Sequence, residues 1–187
     1  MPKTNRADET EIICRAFAAD YSTLNDAARS IDGVAATEQP ILAPDLVRKE
    51  MIPEVLLMSG AQFPESVPLL DAHKRSSTED VLGSAINLRV QGDQLLCTAV
   101  FDTDDRAERA FQKVKKKHIK DLSVGATPLR KQYVPAGKTV RISGRSFTGP
   151  MNVVTSWIVR EVSLTPVGAD SLAKLRGLSG NPFQERG

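Results

Sequence analysis

The chain has 187 residues, of which 41% are hydrophobic and 26% charged, with a formal charge of +2. That length holds one catalytic-sized domain with loose ends, and the composition is that of a folded, soluble chain and not of a disordered one. Lys+Arg total 25 against 23 for Asp+Glu, so no strong field is available to hold a polyanion, and nucleic acid is not an expected partner.

Cys14 and Cys97 stand far apart, with no second Cys or His at zinc-ligand spacing around either. No metal or cofactor is expected, and both cysteines read as buried free thiols of a reducing compartment. Met1 to Arg6 carries charge without an apolar stretch behind it, and no run approaches the ~18 apolar residues of a membrane span. A signal peptide and a membrane partner are therefore not expected.

In chain order, residues 1–11 are polar and read as a flexible N-terminus, and Ile12 to Ala19 has the apolar content of a first strand or short buried element. Tyr21 to Gly33 reads as a polar, turn-rich connection. From Gly33 to Pro68, short apolar runs are punctuated by Pro40, Pro44, Pro53, Gly60, Pro64 and Pro68, which breaks helices and suits short strands. Val67 to Leu70 is an apolar strand whose polar exit carries His73. Val81 to Val90 and Leu95 to Phe101 form a predicted hairpin about Gly92-Asp93.

The period then changes. Ala107, Ala110, Phe111, Val114 and His118 fall at i, i+3, i+4, i+7 and i+11, with Thr103 or Asp104 placed to cap. This predicts a helix between Asp102 and His118, whose Lys113 to Lys117 end reads as a solvated terminus favoured by the helix dipole. Asp121 to Ala126 reads as a short strand, residues 129–148 as a polar hairpin turning at Pro135 to Lys138, and Ser156 to Leu164 as a clear strand. Pro166 to Asp170 reads as a turn, Ser171 to Leu178 as a short helix, and residues 179–187 as a polar tail or linker.

Peptide hydrolysis requires a nucleophile, a base near neutral pKa and a group that orients the base. His73 and His118 are the two histidines. The second falls on the apolar stripe of the predicted helix, where packing and the dipole explain it; the first follows a strand in which alternation sets Leu69, Asp71 and His73 on one side. In Leu122-Ser123-Val124-Gly125, alternation turns Ser123 and Gly125 to one face, and a glycine there lets a substrate backbone approach. Glu161, amid Ile158, Val159, Val162 and Leu164, is a desolvated carboxylate in need of a partner, with Arg160 or a lysine as the ordinary choice. Taken singly, each of these residues also has a plain structural explanation.

Together, three ordered blocks resemble the HK97-type tailed-phage prohead protease family. These are Val67 to Ala85 with its P-L-L-x-x-H run, Asp121 to Ala126 with S-V-G, and Trp157 to Ala169 with W-x-x-x-E-V-S-L-x-P-V-G-A. The resemblance spans roughly residues 12–178 as a prohead serine protease domain. It implies a β-rich α+β fold like that of herpesvirus assemblin, a small closed β-barrel surrounded by a few helices. It also implies His73 as general base, Ser123 as nucleophile and Glu161 as the orienting acid. The arginines of the herpesvirus branch are replaced here by Ala169-Asp170, which leaves backbone N–H groups near Gly125 or Gly168 as oxyanion-hole candidates.

The implied activity is that of a serine endopeptidase acting in the host cytoplasm, inside the immature phage capsid. Its implied substrates are scaffold and major capsid protein segments, and the chain itself. Portal or capsid contacts and a homodimer are further partners this reading allows, and the 129–150 segment is a candidate cover for the site. An alternative of a different class is a non-enzymatic capsid-assembly or scaffolding factor on the same fold, which an unreactive, buried Ser123 would favour. A small nucleic-acid-binding β-barrel using Lys113 to Lys117 is the third reading, with few aromatics for base stacking.

Overall fold

The computed structural model of the protein describes residues 13–166, with side chains from Asp20 onward. Twelve strands and one α-helix follow in order. The first eight strands are β1 (Ile13–Asn25), β2 (Ser30–Thr37), β3 (Ile41–Asp45), β4 (Glu50–Leu56), β5 (Ala61–Gln62), β6 (Ser66–Asp71), β7 (Val81–Gln91) and β8 (Gln94–Phe101). After α1 (Asp105–Lys115) come β9 (Asp121–Val134), β10 (Thr139–Ile142), β11 (Arg145–Thr148) and β12 (Met151–Thr165). Ten strands form one mixed sheet, in the order β3-β4-β12-β6-β7-β8-β2-β1-β9, with β5 also on β12; β10 and β11 form a separate ribbon.

The strand β12 organises this sheet. It pairs parallel with β4, β5 and β6 in succession along one edge and antiparallel with β9 along the other. In turn, β9 takes β1 on its second edge over residues 121–126. Strands paired on both edges and packed on both faces lose the polar alternation of a half-exposed strand. Residues 122–127 are accordingly buried without a break.

The β-rich α+β class holds. The described residues form a large mixed sheet that branches at β12 and returns to it, since β6 and β9, the two ends of the run β6-β7-β8-β2-β1-β9, both pair with β12; a single α-helix stands among them where a few were expected. β12 is covered along one edge by β9 over its full length and along the other by the short β4, β5 and β6 in succession, which is where the sheet branches.

The main core lies between the sheet and α1, where Ala110, Phe111 and Val114 pack with Leu69, Leu82, Leu95, Leu122 and Trp157. Asp104 caps the helix by accepting from the N–H groups of Arg106 and Ala107. A second cluster of Val55, Leu57, Val134, Ile142, Phe147 and Val153 seats the β10–β11 ribbon on the far end of β9. Trp157 joins the two regions by donating its indole N–H to the Leu57 carbonyl at 2.8 Å.

Several local expectations are corrected. The segment from Tyr21 to Gly33 is ordered strand on both sides of one turn, since Asp20, Thr23 and Asn25 satisfy their neighbours' backbone groups. The 129–148 hairpin is instead the end of β9 followed by a ribbon whose turn falls at Ser143-Gly144, both at positive φ. His118 lies beyond the helix and is exposed. Lys115 and Lys117 are engaged with Asp26 and with the Phe111 and Tyr21 rings. The Cys14 side chain, the N-terminal segment and everything from Val167 onward lie outside the described residues.

Candidate active site

Three neighbouring strands bring the candidate residues together. His73 follows β6, Ser123 lies on β9, and Glu161 lies on β12, which pairs with both of the others.

His73 does not continue the alternation of β6. Ala72 and His73 both adopt left-handed backbone, with φ of 50° and 60°, a conformation costly for residues with a Cβ and held only where the surroundings fix it. Two bonds to β12 fix it here. The Ala72 N–H donates to the Leu164 carbonyl at 2.9 Å, and the His73 N–H donates to Ser163 Oγ at 3.0 Å. The left-handed pair turns the imidazole back over the sheet, so the side expected for it from strand period alone is not the one it takes.

The loop carrying His73 is also clamped from outside. Arg106, on the first turn of α1, bonds Asp71 Oδ2 at 2.8 Å and Asp80 Oδ1 at 3.2 Å, the two acids that bracket the loop. Burial alone would raise the Asp71 carboxyl, but hydrogen bonds from Arg106 and Lys74 outweigh it and hold that carboxyl below its ordinary range. Asp80 closes the loop's far end by accepting from the Ser77 N–H in a capping box.

On β9, Ser123 stands opposite Ser163 of β12, and Gly125 stands opposite Glu161. A Cβ placed on Gly125 would lie 1.9 Å from Glu161 Oε1. Gly125 therefore makes room for the carboxylate, and not for a substrate backbone. The space expected there for a substrate backbone is thus already filled by Glu161. Gly168, the other oxyanion-hole candidate, lies outside the described residues.

The ladder between β9 and β12 is regular from Thr165 to Glu161 and then slips, so that Val159 faces Ala126 while Glu161 faces Gly125. Arg160 is the extra residue, a β-bulge. An unbroken strand would turn Arg160 into the core beside Val162 and Leu164. The bulge leaves Arg160 exposed and returns Val159 to the core, at 1% exposure. Glu161 and Ser163, two residues apart on the regular side of the bulge, share one face with Ser123.

On that face, His73 Nδ1 lies 2.7 Å from Glu161 Oε1 and His73 Nε2 lies 2.8 Å from Ser123 Oγ. The remaining carboxylate oxygen, Oε2, accepts from Ser163 Oγ at 2.6 Å. With Glu161 as acceptor, the imidazole carries its proton on Nδ1 and offers Nε2 to the serine hydroxyl, the tautomer a general base requires. Glu161 and Ser163 are 2% and 0% exposed, so these bonds operate largely out of water. Arg75 places a cation at 3.7 Å from Glu161 Oε1; Arg160, the partner expected for Glu161, instead donates its Nε–H to Thr127 Oγ1. Ser123 is 2% exposed.

The expected His73, Ser123 and Glu161 are thus brought into one hydrogen-bonded chain. Ser163 is the residue that sequence reasoning missed. Its signal was its place two residues after Glu161 on the same strand, which puts both on one face. The 129–150 segment does not cover this site, since Ile142 and Phe147 anchor it at the opposite end of β9. Beside Glu161 opens a groove of about 490 Å³ with Arg75 and Arg160 in its walls.

No family model matches the sequence, and neither the curated proteins nor the solved structures contain a match to it.

Proposed function

We propose that the protein is a serine endopeptidase with His73, Ser123 and Glu161 as its catalytic triad. The observation that carries this reading is the imidazole of His73, bonded through one nitrogen to a serine hydroxyl and through the other to a buried carboxylate. Such an array suits acyl transfer. Nε2 takes the Ser123 hydroxyl proton as Oγ bonds to the scissile carbonyl carbon, and Glu161 stabilises the resulting imidazolium. The imidazolium then protonates the leaving amine as the C–N bond breaks. Water, deprotonated by His73, finally releases the acyl group and restores the serine.

The resemblance of the three sequence blocks to prohead proteases supplies the biological setting of the proposal. Scaffold and major capsid protein segments would be the substrates, cleaved within an immature phage capsid in the host cytoplasm. A second reading, a capsid-assembly or scaffolding factor that keeps the triad structurally, is favoured by one observation, the 2% exposure of Ser123.

Coexpression with a candidate scaffold or capsid precursor separates the two. The wild type and Ser123→Ala are compared by intact mass of both proteins. Cleavage that appears with the wild type alone is the result expected of the peptidase. Intact precursor beside both folded chains would select the assembly factor.

A further inference from the structure

We infer that the groove beside Glu161 is a substrate subsite selective for an acidic side chain, with Arg75 and Arg160 as its specificity-determining residues. This rests on the peptidase reading.

The position of the groove fits a subsite. One imidazole ring and two hydrogen bonds, of 2.8 and 2.7 Å, separate Ser123 Oγ from the Glu161 carboxylate that lines the groove. An extended peptide advances ~3.3 Å per residue. A side chain two or three residues from the scissile bond therefore reaches the groove while the carbonyl sits at Ser123. Its floor includes Pro68, Leu70 and Val81, an apolar surface suited to the methylene stem of a glutamate.

The charge balance of the walls selects the head group. Two arginines line the cavity, and Glu161 is the one acid among the lining residues. That acid is already committed to His73 and Ser163. Arg160 has its Nε–H on Thr127, and its two terminal nitrogens meet no acceptor among the described residues. Arg75 holds Glu161 only at 3.7 Å and is 39% exposed. A planar guanidinium with free terminal N–H groups matches a carboxylate in two-point geometry. The β-bulge is what presents Arg160 here, because without it the side chain would turn into the core.

The test uses a pool of short, end-blocked peptides of random composition, incubated with the wild type, Ser123→Ala and Arg160→Glu, with cut positions read by mass spectrometry. Expected is Ser123-dependent cleavage enriched roughly tenfold for Glu or Asp two or three residues from the cut, and an enrichment that turns to Lys and Arg in Arg160→Glu. Ser123-dependent cleavage without acidic enrichment overturns the subsite and leaves the peptidase standing. Absence of Ser123-dependent cleavage overturns the peptidase. The groove is then read by fluorescence anisotropy of labelled Glu-, Gln- and Lys-centred peptides on Ser123→Ala: tighter binding of the Glu peptide supports the acidic preference, and equal affinities overturn it.

Discussion

Ser163 faces Ser123 across the β9–β12 ladder, and its hydroxyl donates to Glu161 Oε2 while accepting from the backbone N–H of His73. One hydroxyl thus fixes the position of the acid and the strained backbone of the base. The bond to Glu161 is buried and the bond from His73 is part-buried, so losing them costs more than an exposed hydrogen bond would.

For the proposed peptidase activity, Ser163→Ala is expected to lower kcat roughly ten- to a hundredfold with KM little changed, because misplacing a catalytic group by about 1 Å carries a cost of that order. Ser163→Thr, which keeps the hydroxyl, should recover part of the loss. The low-field proton resonance of His73 Nδ1–H gives a check independent of turnover. An unchanged resonance and full activity in Ser163→Ala would remove Ser163 from the site.

Gly125→Ala tests the space behind the acid. The added methyl would lie 1.9 Å from Glu161 Oε1, so the carboxylate must leave its place under the imidazole. The expected result is at least a tenfold fall in cleavage with about 1–3 kcal/mol of destabilisation, read by peptide turnover and by urea unfolding. Activity equal to wild type would show that Glu161 does not need that position.

Asp45, the buried last residue of β3, provides a pH prediction. Its carboxylate accepts from Asn152 Nδ2–H at 3.0 Å. That bond, against the burial that raises the group, and with help from the backbone and guanidinium of Arg48, holds the carboxyl at about 2, below its ordinary 3.8. A lowered folded value stabilises the native state above pH ~4, and this contribution is lost as pH falls toward 2. The urea midpoint of Asp45→Asn should lie below wild type at pH 5, and the gap should narrow from pH 4 to pH 2. A gap that stays constant over that range would mean that the charge is not what stabilises.

Cys97 is fully buried, and burial, with Asp32 adding to it and Arg89 opposing, pushes its thiol up to about 12. Thiolate is the reactive form. In a Cys14→Ala variant, iodoacetamide at pH 8 should leave the native protein unmodified and add one label in urea, as read by intact mass. Labelling of the native chain would show that the β2–β8 region opens.

Much of this site was legible because it obeys simple periods. Alternation set Ser123 on one face of β9, the Gly92-Asp93 turn marked the β7–β8 hairpin, and the spacing of Ala107, Ala110, Phe111 and Val114 marked α1. What escaped reading depends on contacts distant in sequence. The left-handed turn at Ala72-His73 is imposed by β12, and the bulge at Arg160 appears only when β12 is laid against β9. Gly125 could be recognised as special from its lack of a side chain, but which neighbour occupied the vacant volume could not. Strand ends were misjudged for a related reason, since β9 and β12 extend through polar residues such as Lys131 and Asn152 because each supplies the other's backbone partners.

The attachment of the proposed triad to adjoining strands has an evolutionary corollary. Serine and carboxylate are related by ladder register, and the histidine is tied to the same strand that bears the acid. Changes of length at the β7–β8 turn or the tip of the β10–β11 ribbon leave that register untouched, whereas a one-residue deletion within β12 would rotate its side chains to the opposite face. Divergence in such a lineage should therefore collect as insertions in those peripheral turns, while the β9–β12 pair tolerates substitution but not a change in its count of residues.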